Sequence, residues 1–300
     1  MASDFTIVIT TRNRPRLLVR AVRSVWGTYA VNPKIIVVDD CSEIDPTTML
    51  REIDSEILLI RNPIRQGPGT SRNIGIRRAL TRFVVILDDD DMMTSGALTE
   101  IDVRLMSLSD AGAYPCFQFA RSNGRLDRSF GIITLADFVT QKISGDYTPV
   151  IQRQVFIGRG FRYPETLVGG ENLLWFEIAK QHGIPTWNIV VTQLGAEAPT
   201  RLCSVDNQLL APGEYASVQE QLLEKFGPDI LSISKAYYMQ RRLGAATYWL
   251  LAGNRSAARR HIQSAYRLKA TPGVAAVWAA SWLPGALLRR LFRFYRGVTI

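Results

Sequence analysis

Short apolar, β-branched runs alternate with helically spaced segments through the first third of the chain, and this alternation restricts the fold more than any other feature. Phe5–Ile9 and Lys34–Val38 read as strands. Between them Leu17, Leu18, Ala21, Val22, Val25 and Trp26 recur at helical spacing, and Pro15 suits a first helical turn. Strand, helix and strand at this spacing form a βαβ unit, which implies parallel strands. The pattern then predicts a strand at Glu56–Ile60, a helix at Gly69–Leu80 entered through Gly67–Gly69, a strand at Phe83–Leu87 and a helix at Ser95–Leu108. The fold class is therefore α/β, a Rossmann-like, mainly parallel sheet flanked by helices. In open sheets of this kind ligands lie beyond the carboxyl ends of the strands.

From Ala113 to about Val155 the pattern weakens into short strand-like pieces, which predicts an antiparallel extension with loops. A helix is expected from Glu171 to about His182, a strand from Ile184 to Val191, and a loop over 196–214. The rest reads as a C-terminal helical extension with helices at Tyr237–Ala252, Arg255–Leu268 and Val274–Phe294. The first two of these resemble one tetratricopeptide-style hairpin, but a single copy is not a repeat array.

The chain has 300 residues and a net charge of +9, which on average suggests a nucleic-acid binder. The distribution says otherwise. No Asp or Glu follows Asp229, whereas twelve Lys and Arg do, so the first 229 residues carry a net charge of −3. All the positive excess lies in the tail. Cys41, Cys116 and Cys203 are odd in number and far apart, which points to reduced thiols rather than a disulfide framework or a zinc site. A basic n-region leading into an apolar core is absent at the start, so no signal peptide is expected. A run of about 18 apolar residues is absent as well, so no membrane span is expected. His182 and His261 lack partners at ligand spacing.

Three polar clusters follow three of the expected parallel strands: Thr10–Arg14, Asp39–Asp40 and Asp88–Asp91. All three should gather on one edge of the sheet. Four adjacent carboxylates repel one another unless a cation sits among them. An oxygen-preferring divalent ion, Mn²⁺ or Mg²⁺, would relieve that repulsion.

These clusters carry a resemblance. Ile7-Val-Ile-Thr-Thr-Arg-Asn-Arg-Pro, Ile36-Val-Val-Asp-Asp-Cys-Ser, the Asn62–Gly75 stretch with Gly67, Ser71-Arg72-Asn73 and Gly75, and Ile86-Leu-Asp-Asp-Asp-Asp stand in the order seen in family 2 glycosyltransferases. Residues 5–110 thus resemble the nucleotide-binding half of that family, which has the GT-A fold. The resemblance implies a GT-A domain over 1–215, with a nucleotide-binding half over 1–110 and an acceptor half over 111–215, followed by a basic helical region over 216–300.

The resemblance further implies that Thr10, with Arg12 and Arg14, lines the donor nucleotide, that Asp40 reads its base or ribose, and that Arg72 contacts the nucleotide or its phosphates. Asp88 and Asp90 become the metal-binding pair, Mn²⁺ or Mg²⁺ the cofactor, and Asp88 and Asp89 also face the donor. Gly169-Gly-Glu-Asn-Leu-Leu-Trp resembles the start of the family's acceptor-side helix, where an Asp usually serves as general base. Asn172 stands in its place here, and an amide cannot take a proton near neutral pH. Glu171 is then the expected catalytic base; the alternatives are reduced activity or an inactivating change at this position.

The function implied is inverting transfer of a sugar from a nucleoside-diphosphate donor to an acceptor hydroxyl, on a glycan or lipid-linked glycan of surface polysaccharide synthesis. Two other readings stand beside it: a sugar nucleotidyltransferase, and a glycosyltransferase-like binding protein without a working base. Val274–Leu288 is mostly apolar and contains Trp278 and Trp282, and Arg289, Arg290, Arg293 and Arg296 follow. Trp with Arg suits an anionic membrane surface. The expected location is cytoplasmic, peripheral on the inner face of the cell membrane, with no nucleic-acid partner.

Overall fold

The computed structural model describes residues 3–195 and 204–297. They divide into two compact units, with the boundary between Ala198 and Pro199.

The first unit opens with β1 (Phe5–Thr11), α1 (Pro15–Val25), β2 (Lys34–Asp39), α2 (Thr47–Ile53), β3 (Leu58–Arg61), α3 (Pro68–Arg78) and β4 (Phe83–Asp88). It continues through β5 (Met92–Met93), α4 (Ala97–Ser107), β6 (Cys116–Arg121), β7 (Arg125–Leu126), β8 (Phe130–Ile133), α5 (Leu135–Val139) and β9 (Ile143–Ser144). It closes with β10 (Tyr147–Gln152), α6 (Arg153–Gly158), α7 (Asn172–Gln181) and β11 (Ile184–Gln193).

Nine strands form one sheet in the order β3-β2-β1-β4-β10-β6-β11-β5, and β8 pairs with β11 off that path. The first four are parallel neighbours, as the βαβ reading requires. β10 runs antiparallel to both β4 and β6, and β11 returns to the parallel direction beside β6. The sheet is thus mainly parallel, with antiparallel strands in its second half.

Alternate residues of each central strand face opposite sides, because successive side chains in a strand point to opposite faces. Ile7, Ile9, Val85 and Leu87 pack with Leu18, Val22 and Ile101 of α1 and α4. Val8, Val38, Val84 and Ile86 pack with Ile76, Leu174 and Ile178 of α3 and α7. Both faces are buried, which explains why these strands read as unbroken apolar runs. On the second face α3 comes so close that a Cβ at Gly75 would lie 2.3 Å from Val8 Cγ1.

The second unit consists of α8 (Val205–Leu210), α9 (Pro212–Ile233), α10 (Lys235–Leu251), α11 (Arg255–Leu268), α12 (Pro272–Ala280) and α13 (Gly285–Gly297). Leu209, Ala246, Leu250, Ala258 and Ile262 lie in its core. The side chains of Ser204, Ser234, Asn254 and Thr271 cap α8, α10, α11 and α12, each accepting a backbone N–H that the helix itself leaves unpaired.

Two expectations change here. The loop expected over 196–214 holds two helix starts in its described part, because Ser204 caps α8 and Pro212 sits in the first turn of α9, where its missing N–H costs nothing; residues 196–203 and Cys203 lie outside the described residues. The single helix expected at Val274–Phe294 is two, because Pro284 cannot continue a helix and the chain turns between Ser281 and Pro284. Cys41 and Cys116 are free thiols. Among the described residues no helix is long and apolar enough to cross a membrane.

Candidate active site

The register of β1 with its two neighbours brings the polar clusters together. Thr11 pairs with Asp39 of β2, and Thr10 pairs with Asp88 of β4. The chain therefore leaves all three strands on one edge of the sheet, with the β1 loop in the middle.

Asp40, just past β2, is buried and faces the chain itself. Its carboxylate accepts from the backbone N–H of Gln66 at 2.7 Å and of Gly67 at 2.9 Å, and from Asn62 Nδ2 at 3.0 Å. Asn62 also donates to Ser71 Oγ at 3.1 Å. Asp40 thereby sets the entry of α3, where Gly67 has φ +88 and a Cβ would meet Thr166 O at 2.1 Å. Any contact of Asp40 with a nucleoside shares oxygens already bonded to this turn. Asp39 is held separately by Arg61 Nε at 2.9 Å and by Ser42.

The four aspartates after β4 diverge. Asp88 accepts from Arg72 at 2.8 Å and from Arg121 at 2.7 Å. Asp89 turns toward β1 and accepts from Thr11 Oγ1 at 2.7 Å and from Arg14 at 2.9 Å. Asp91 accepts from Arg121 at 2.8 Å and from the Gly195 N–H at 3.0 Å. Asp90 has the loosest hold: its carboxylate stands 3.5 Å from Arg14, while its carbonyl accepts from Arg20 at 2.6 Å. The repulsion expected among these carboxylates is thus offset by the chain's own arginines, so the run of acids does not by itself require a bound cation.

The charge states follow from these partners. Burial opposes ionisation of Asp88, but Arg121 and Arg72 outweigh it and hold the carboxyl well below the usual carboxylate range. For Asp89 and Asp91 burial wins, and both are raised to about 6 even with Arg14 and Arg121 beside them. Burial disfavours the Arg72 charge, but Asp88 and Glu171 more than restore it.

Arg72 links the two halves of the site. One end of its guanidinium bonds Asp88 and the other bonds Glu171 Oε1 at 2.6 Å, while the group stacks over the Tyr163 ring at 5.3 Å. Asn73, next to it on α3, exchanges two hydrogen bonds of 2.9 Å with the Tyr163 backbone. Glu171 is the residue before α7, its other oxygen accepts from the Gly170 N–H at 3.1 Å, and its side chain remains 36% exposed. Asn172 is exposed at the first position of α7.

Thr10 is half-buried beside Asp88 in register, and Arg12 is exposed on the following loop. An open cleft of about 190 Å³ is lined by Thr11, Asn13, Arg14, Ser42, Glu43 and Ile44. Its two lining loops are tied together where Asn13 Oδ1 accepts from the Glu43 N–H and Ser42 Oγ accepts from the Asn13 N–H.

Among the described residues no three His, Cys, Asp or Glu converge in a way that would hold a metal by themselves. The donor chemistry nevertheless fits an oxygen-preferring ion, since the Asp90 carboxylate is weakly engaged, whereas Asp88, two residues earlier, already shares its oxygens with Arg72 and Arg121. Such an ion would take its remaining ligands from phosphate and water.

Sequence reasoning missed Arg121 and Tyr163, and it gave Asn62 no role of its own within the Asn62–Gly75 stretch. Only Arg121 left a signal, a basic residue ending the largely apolar run Cys116–Ala120, which is a poor place for a charge without a buried partner.

Comparison with known proteins agrees with this geometry. The glycosyl transferase family 2 model matches residues 6–161, just over half of the chain. The GalNAc(5)-diNAcBac-PP-undecaprenol beta-1,3-glucosyltransferase of Campylobacter jejuni is 30% identical over 190 residues, covering 59% of this chain and 60% of that protein. The succinoglycan biosynthesis protein ExoO of Rhizobium meliloti is 27% identical over 187 residues, covering 57% and 54%. The chain therefore spans little more than half the length of these curated relatives. Among solved structures, S. aureus TarS in complex with UDP-GlcNAc superposes with a TM-score of 0.59 at 16% identity, over 89% of this chain and 90% of that one. The mannosyltransferase PcManGT of Pyrobaculum calidifontis, in complex with GDP-Man and Mn²⁺, gives 0.58 at 14% identity, over 98% and 83%. At these identities the structural matches speak for the GT-A fold alone. With the family model running from β1 through α6 and the three polar clusters assembled on one sheet edge, the chain belongs to glycosyl transferase family 2.

Proposed function

We propose that the first unit transfers a sugar from a nucleoside-diphosphate donor to an acceptor hydroxyl with inversion, and that the helical second unit serves it as an accessory. The observation that carries this reading is the Asp88–Arg72–Glu171 bridge, in which one guanidinium joins the donor-side carboxylate to the carboxylate best placed to act as base. The nucleoside would lie along the Thr11–Ile44 cleft near Thr10, Arg12 and Asp40, with the diphosphate facing Arg72, Asp88 and Asp89.

Asp88 and Asp90 would hold Mn²⁺ or Mg²⁺, and such an ion would offset negative charge on the leaving diphosphate. The acceptor oxygen attacks the anomeric carbon, the bond from that carbon to the diphosphate oxygen breaks, and the acceptor proton passes to the Glu171 carboxylate. A single displacement inverts the centre and needs a base within hydrogen-bond reach of the hydroxyl. Arg72 would orient that base through its bond to Glu171.

A lipid-linked glycan of surface polysaccharide synthesis is the proposed acceptor class, which agrees with the undecaprenol-linked substrate in the name of the Campylobacter relative. Such an acceptor sits at a membrane, so the proposed location is the cytoplasmic face. Thermal shift with UDP and GDP, with and without Mn²⁺, identifies the donor base, because a ligand stabilises the native state according to its affinity. Transfer assays with the matching sugar nucleotides follow. Loss of transfer in Glu171→Gln with nucleotide binding retained supports the reading; full activity in that variant removes Glu171 as base, and absence of stabilisation by any nucleoside diphosphate overturns the donor site.

A further inference from the structure

The last two helices carry an apolar surface that the second unit leaves uncovered. α12 has no charged residue, yet only Val274 is buried, and Ala275, Ala276, Trp278 and Ala279 face outward. Trp278 is 53% exposed and Trp282 is 61% exposed, with their rings in edge contact at 6.1 Å. A soluble helix normally turns such residues inward.

α13 repeats the pattern with charge added. At roughly 100° per residue, its side chains sort into three sectors. Leu288 and Phe292 form the buried one. Leu287, Leu291, Phe294 and Tyr295 form an exposed apolar stripe beside it, roughly 100° wide by the same helical spacing. Arg289, Arg290, Arg293 and Arg296 occupy the remaining arc. Three of them reach α8: Arg289 bonds Leu209 O at 2.9 Å, Arg293 bonds Asp206 at 3.1 Å and Arg296 bonds Gln208 at 3.4 Å. Arg259 of α11 stacks on Trp282 at 4.7 Å. Each of the two helices therefore exposes apolar side chains, with Arg259 beside those of α12 and the α13 arginines beside those of α13, and no acidic residue follows Asp229.

The geometry points to an anionic lipid surface as the occupant of this face, with Trp278, Trp282, Leu291 and Phe294 entering the headgroup–acyl boundary. Tryptophan and tyrosine favour that boundary, and arginines beside an apolar stripe add attraction to anionic headgroups. A second copy of the chain is a poorer occupant. A two-fold contact sets the same patch against itself and brings arginine to arginine, with no carboxylate on α10–α13 to separate them. The inference deepens the location proposed above but stands on the second unit alone.

The test is sedimentation of the full chain with vesicles of phosphatidylcholine, with and without roughly a third phosphatidylglycerol. Binding to the anionic vesicles should exceed binding to the neutral ones about tenfold or more and should weaken with added salt. Trp278→Ser/Trp282→Ser and Leu291→Ser/Phe294→Ser should each lower it about tenfold. Their thermal transitions and their transfer to a soluble acceptor should match the parent's. If a variant fails to fold, quenching of parent tryptophan emission by brominated acyl chains gives the same answer. Absence of binding to anionic vesicles, binding undiminished in both folded variants, or no quenching overturns the inference. So does a lipid-independent dimer that these substitutions dissociate, which assigns the face to a second copy. Vesicle binding without sugar transfer keeps this inference and sinks the enzymatic reading; transfer without vesicle binding does the reverse.

Discussion

Arg121→Met tests whether the aspartate turn is held by the chain's own cations. In the parent, one nitrogen of Arg121 lies 2.7 Å from Asp88 and 2.8 Å from Asp91. After the substitution Asp88 keeps Arg72, but Asp91 keeps only the Gly195 N–H. Removing one partner of a buried ion pair costs about 3–5 kcal/mol, because the other charge is left in a poorly solvated site. At about 2–4 °C per kcal/mol for a unit of this size, the melting temperature of the first unit should fall by roughly 6–20 °C. Adding Asp91→Asn should recover more than half of the loss, because the amide keeps an acceptor for Gly195 and no unpaired charge remains. Near-UV circular dichroism gives the transition, and hydrogen exchange in peptides spanning 88–95 confirms where the loosening occurs. A single variant within about 2 °C of the parent, or a double variant no better than the single, would refute the reasoning.

Other outcomes follow from the same geometry. Gly75→Ala should destabilise the first unit, because overpacking against Val8 costs about 1–3 kcal/mol and outweighs a helix-propensity gain of up to about 1 kcal/mol; adding Val8→Ala should relieve it in urea denaturation. Glu171→Gln should lower transfer about 10²–10⁴-fold in a nucleotide-release assay while nucleoside-diphosphate thermal shift is unchanged. Asp90→Asn should abolish the part of that thermal shift that depends on Mn²⁺ and leave the metal-free part. Burial and Arg242 hold His261 below the ordinary histidine value, with Glu220 only partly opposing them. The unfolded chain therefore binds a proton that the folded chain declines, and stability falls as pH drops below about 6.5. The melting-temperature advantage of the parent over His261→Gln should accordingly shrink between about pH 7.5 and about pH 5.5.

The central strands were legible because burial on both faces writes itself as continuous apolar runs, as in Phe83–Leu87. The site edge was legible for the same reason: each polar cluster had to begin where such a run stopped. What the linear pattern could not show was the pairing of charges. Nothing near Asp88 in sequence announces Arg121, which reaches it only because β10 places β6 two strands away from β4. Lacking those arginines, the acidic run read as a demand for a metal. The structural bonds of Asp40 were hidden in a similar way, since a carboxylate at a strand end can face a ligand, its own chain or both, and the Gln66–Gly67 amides that engage it lie a full β–α connection away. The starts of α8 and α9 were hidden because Ser, Pro and Gly mark helix caps and loops alike.

The fork of Arg72 has a consequence for substitution at that position. Its two ends serve separate carboxylates while its flat face lies on Tyr163, and an ammonium group offers neither a span nor a plane. Lysine would retain the positive charge yet could satisfy only one side at a time, leaving either the strand end or the helix start without its anchor. The requirement at residue 72 is therefore one of shape as much as sign.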